Sequence, residues 1–156
     1  MEMVKYSLMK TPQKIETGFW IDEPNIFVPW NISEQELETL LGKQGLKRVT
    51  DGYYTIACTT PGGQKHLLGF HFRPQKGGRL RELEFFRDAY ADLKKSYEDF
   101  QKHFEGEFGP PNSAEKSEDS FDRYVWRLGK IKIEHYVLDR FGPEEHMRIR
   151  FTGTSP

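Results

Sequence analysis

Five histidines, one cysteine and two closely spaced carboxylates carry most of the chemistry available to this chain of 156 residues. A nucleophilic thiol needs a helix N-terminus or a cationic neighbour to lower its pKa. Cys58 stands inside Thr55-Ile56-Ala57-Cys58-Thr59, a strand-like run that holds no cation. It reads as a buried structural cysteine, although His66 or His71 of the next strand could approach it. These two histidines are five residues apart, so on a strand they face opposite ways and cannot share an ion. No Cys/His spacing suits zinc, and no metal or other cofactor is expected. His103 reads as solvated. Glu82 and Glu84 project from one strand face, about 7 Å apart at ~3.3 Å rise per residue. Glycosidic chemistry uses carboxylates near that separation, yet alternating charge is the ordinary pattern of a wet strand face. Gly62-Gly63 and Gly77-Gly78 precede strands rather than helices, so they are turns and not phosphate loops. No catalytic residue is assigned.

The arginines are more suggestive. Arg79 and Arg81 alternate on one strand-like run, and Arg148 and Arg150 alternate on another. If the two strands hold equivalent positions, four guanidiniums line a sheet surface beside Tyr and Trp side chains. Arginine with aromatics is the composition of interface anchors, and guanidinium also suits anionic or planar ligands. The plainer expectation is cross-strand pairing of these arginines with Glu82, Glu84 and Glu134. Tyr124, Trp126 and His135 complete the candidate set. Trp126 shares a face with Tyr124, and His135 shares one with the apolar Ile131, Ile133 and Val137, which also fits a core histidine.

Periodicity places these residues. Phe19–Ile21 and Ile26–Val28 flank the turn-like Asp22-Glu23-Pro24-Asn25 and suggest a hairpin. Ser33-Glu34-Gln35-Glu36 is a capping box, and Leu37, Leu40 and Leu41 follow as one stripe, predicting a helix over 34–43. Strand patterns occupy 53–59, 67–72 and 80–86, joined by short turns that require antiparallel neighbours. Tyr90, Leu93, Tyr97, Phe100 and Phe104 recur at helical spacing, predicting a second helix over 89–105. Residues 112–120 read as a polar loop, and strands follow at 123–128, 131–138 and 147–152. The fold class is α+β, with antiparallel sheet and two helices on one side, in a single domain over 1–156. The halves 33–86 and 89–152 read as two αβββ pseudo-repeats. This layout resembles that of small bacterial binding and inhibitor proteins built from tandem helix-plus-sheet units, which implies a partner held on the exposed sheet face.

Charge narrows the function. There are 23 Lys+Arg against 24 Asp+Glu, a net charge of −1, so the basic excess of a duplex binder is missing. No stretch is long and apolar enough for a membrane helix. One cysteine and no secretory pattern point to a cytoplasmic protein. Aromatic residues make up 14% of the chain, enough to supply a core and leave some over for a groove. Two readings follow. The favoured one is a non-catalytic protein-interaction module that grips a partner through the Arg/aromatic sheet face. The alternative is a small-molecule binder or enzyme, with a cavity for an apolar or anionic ligand between the second helix and the sheet. Open sheet edges also leave room for a homodimer.

Overall fold

The computed structural model describes residues 15–60, 64–73, 77–86, 92–116, 121–139 and 143–153. Local sequence signals explain most elements. β1 (Gly18–Ile21) and β2 (Ile26–Pro29) form the expected hairpin, with Phe19 opposite Val28. Ser33 caps α1 (Glu34–Leu41): its hydroxyl accepts from the Glu36 amide, while the Glu36 carboxylate accepts from the Ser33 amide. Leu37 and Leu41 are the buried members of its stripe. α2 (Leu93–Phe108) begins later and ends later than the sequence suggests. Asp92 caps it by accepting from the Lys95 amide, the helix continues through Gly106, and Gly109 stops it at φ +81°. Residues 89–91, included in the sequence-based helix, lie outside the described residues.

Eight strands form one antiparallel sheet in the order β3-β4-β5-β6-β10-β9-β8-β7. They are β3 (Lys47–Thr50), β4 (Tyr53–Thr60), β5 (Gln64–Phe72), β6 (Leu80–Phe86), β7 (Ser113–Glu115), β8 (Arg123–Leu128), β9 (Ile131–Asp139) and β10 (Pro143–Phe151). Each helix is therefore followed by a four-stranded meander, and the two meanders join at the β6–β10 seam. The sequence reading lacked β3 and β7, the two edge strands. Both are short and fully exposed, so they carry no alternating apolar face to mark them. Part of the polar segment 112–120 is thus strand: Ser113–Glu115 pairs with Arg123–Val125, while 117–120 lie outside the described residues. β10 also starts four residues before the expected Met147, which brings Glu145 and His146 into the sheet.

The helices and the β1–β2 hairpin pack on the same side. Tyr54 of β4 donates to Glu38 of α1 (3.0 Å), Phe85 of β6 meets Phe104 of α2 edge-on, and Phe19 of β1 also packs on Phe85. One apolar cluster runs through this layer, from Leu37 and Leu41 through Leu68, Phe70 and Leu83 to Trp126, Ile133 and Ile149. Among the described residues, no helix is long and apolar enough to cross a membrane.

Candidate binding site

The seam positions the charged side chains. Antiparallel pairing sets Arg148 opposite Glu84 and Arg150 opposite Glu82. Because side chains alternate, all four point away from the helices. Glu84 is the centre. Its Oε1 lies 2.8 Å from His71 Nε2 on β5, and its Oε2 lies 3.3 Å from Arg148 Nη2 and 3.8 Å from His146 Nδ1 on β10. Each histidine rests on a tyrosine: His71 stacks on Tyr53 at 4.6 Å, and His146 on Tyr136 at 5.0 Å. Gly69, opposite Glu84 on β5, makes room for this, since a Cβ there would stand 3.0 Å from the Tyr53 ring. Arg123 lies over the Tyr136 ring at 4.4 Å and pairs with Glu134. Glu82 accepts from Arg150 Nε (3.2 Å) and Arg73 Nη2 (3.3 Å).

These contacts set the ionisation of the face. Burial pushes the Glu84 carboxyl upward, but hydrogen bonds from His146 and His71 and the Arg148 charge outweigh it, holding the group well below the usual carboxylate range. Burial, then the Glu84 charge, raises the Tyr53 phenol. His71, Glu82 and Glu84 place one ligand atom each within 4.8 Å of one another. Arg73, Arg148 and Arg150 already sit against the two carboxylates, so this triad does not fit a divalent cation.

The four arginines singled out from the sequence divide. Arg148 is held between Glu82 and Glu84, which is the cross-strand pairing expected of a charged strand face. Arg79 and Arg81 do not join the Arg148–Glu84 row: Arg79 precedes β6, and the register shift at the start of β6, between the partners of His71 and Phe72, breaks the alternation at Arg81. Arg79 donates to the Asn31 carbonyl (3.2 Å), and Arg81 lies over the Phe151 ring at 5.5 Å. Even so, Arg79, Arg81 and Arg150 converge at the end of the seam. With Arg73, His71, Glu82, Phe151, Thr152 and Gly153 they line a notch of about 400 Å³. Arg73 follows β5 with no pattern around it, and the sequence offered no signal for its place here.

Trp126 and His135 are fully buried, and neither reaches the outer face. Trp126 donates to the Gly109 carbonyl at 2.8 Å and closes the C-terminal end of α2. His135 bridges the sheet to α2: Nδ1 meets Gln101 Oε1 at 2.9 Å, and Nε2 meets Glu145 Oε2 at 2.6 Å. Gln101 spends its amide NH₂ on Glu105, and Glu145 accepts from Ser96 Oγ at 2.6 Å. Both ring nitrogens of His135 thus face side-chain oxygens, one of Gln101 and one of Glu145. Tyr97 stacks on the ring at 4.6 Å, and Phe100 packs its edge against it. Beneath α2 the space at His135 is therefore filled by side chains. Tyr124 is half-buried and lines a shallow groove beside the helix with Tyr97, Gln101 and Glu105. Cys58 stands opposite His66 on the core side, and burial pushes its thiol up to about 12.

No family model and no curated protein matches the chain. A crystal structure of a DUF4309 family protein, YjgB from Bacillus subtilis, has a similar chain path, with a TM-score of 0.44 and 12% identity over 76% of this chain and 78% of that one.

Proposed function

We propose that this protein is a non-catalytic binding module that holds another protein against the outer face of its central strands. The observation that carries the reading is the arrangement around Glu84: two tyrosine-backed histidines and Arg148 on a sheet face opposite every described helix and hairpin. Tyrosine and arginine are among the side chains that most often anchor interfaces: tyrosine buries a large area at low rotamer cost, and arginine brings a planar fork of donors. Here the ladder fixes them in advance, which lowers the entropy lost on binding. Arg73, Arg123, Lys132, Arg148 and Arg150 surround Glu82, Glu84 and Glu134. The positive excess favours a partner with an acidic contact surface. Tyr136→Ala removes the ring under both His146 and Arg123, and it should weaken capture of such a partner at least tenfold. Arg148→Ala should do the same, while Lys94→Ala on the far side of α2 should not. Equal capture by all four proteins, with folding verified by thermal melts, would remove the outer face from consideration.

The alternative of a ligand cavity between α2 and the sheet has less support, since Tyr97, Phe100 and Gln101 close over His135.

A further inference from the structure

The notch at the end of the β6–β10 seam has a charge balance that the face does not share. Its lining holds four guanidiniums, of Arg73, Arg79, Arg81 and Arg150, and one carboxylate, that of Glu82; just outside it, Glu36 lies 3.9 Å from Arg79 and Glu134 lies 3.4 Å from Arg150. Glu82 does not neutralise the set, because it is shared with Arg148 on the face. Its contacts show how the notch treats an oxyanion: Arg73, just past β5, and Arg150 of β10 converge on its Oε1, at 3.3 and 3.2 Å. Arg73 and Arg79 are half-exposed and stand at the mouth. Arg79 gives one N–H to the Asn31 carbonyl and Arg73 one to Glu82, out of five donors on each guanidinium. Phe151, between Trp30 on one side and Arg81 on the other, makes an apolar side wall.

We infer that this notch is a binding site for a phosphoryl dianion carried on a small apolar body. The carboxylates within reach are shared, Glu82 with Arg148 and Glu134 with Arg123 and Lys132, so a positive excess remains, and a phosphate monoester brings close to two negative charges and three acceptor oxygens to meet it. Guanidinium is the group whose fork geometry suits those oxygens. A volume of about 400 Å³ holds a phosphorylated ring or side chain. The site stands on the notch alone and does not require that the outer face grip a protein.

Phenyl phosphate is the probe, titrated by calorimetry into the full chain at low salt, with benzoate for comparison. Saturable binding is expected, at least tenfold tighter than benzoate and weakened at least tenfold by Arg79→Ala and by Arg73→Ala. Both residues lie at the mouth, so the variants should keep the wild-type melting temperature. Tyr136→Ala, on the face, should bind phenyl phosphate as the wild type does even where it loses a protein partner. A phosphoserine peptide that binds more tightly than phenyl phosphate assigns the group to a protein side chain, and equal or weaker binding assigns it to a small phosphate ester; both support the site. No saturable binding, or equal binding by the two arginine variants, overturns it.

Discussion

Cys58 has a single fate in this structure. Its thiol is buried and raised to about 12, so almost no thiolate exists at neutral pH. A maleimide should leave the native protein unlabelled over hours and react fully once urea unfolds it; fast labelling of the folded protein would contradict the burial. Glu84 behaves oppositely. Its folded pKa lies below the unfolded value of roughly 4.3, so the ionised form favours folding. That contribution is present above the unfolded value and is lost as pH falls through the folded one. Urea midpoints measured downward from pH 7 should therefore drop below about pH 4.5 more steeply in the wild type than in Glu84→Gln. Parallel curves would show that Glu84 is not held this way. Part of this scale was open to sequence reading. Alternation alone put Glu82 and Glu84 on one face, and set His66 and His71 on opposite faces. Cross-strand pairing of arginines with Glu82, Glu84 and Glu134 was anticipated from the charges, but the exact register was not, because which strand lies beside β6 depends on a pairing between residues more than sixty apart.

At the scale of elements, capping chemistry and the apolar stripe foretold α1, and its end moved by two residues. Ser33→Ala removes one arm of the capping box and should cost about 1 kcal/mol, a fall in melting temperature of about 3 °C. α2 was legible as a stripe, but its start was not, because Asp92 caps it inside the run of aromatic residues. What ties α2 to the sheet was invisible to pattern: Ser96 and Gln101 are polar residues on its buried side, and they meet Glu145 and His135 only because β10 extends to Pro143. Glu145 is buried with hydrogen-bond partners on both oxygens, Ser96 and His135, so Glu145→Gln should destabilise the fold by about 2 kcal/mol. A change under 1 kcal/mol in chemical denaturation would show that these bonds contribute little.

The whole molecule is a two-layer structure whose two helix-plus-meander halves meet at β6 and β10. The order of elements was readable in the sequence as two similar halves, and the strand order was not, since antiparallel meanders can join at either edge. That junction places Arg148 against Glu84 and Arg150 against Glu82, and it opens the notch beside them. Joining the halves this way also leaves a sheet face with no described helix over it, and the partner-binding reading rests on that face. The most direct test is backbone hydrogen exchange of the protein alone and with its captured partner. Protection confined to β5, β6, β9 and β10, and absent from the Tyr136→Ala protein, is the expected result. Protection over α1 and α2, with those strands unchanged, would contradict it.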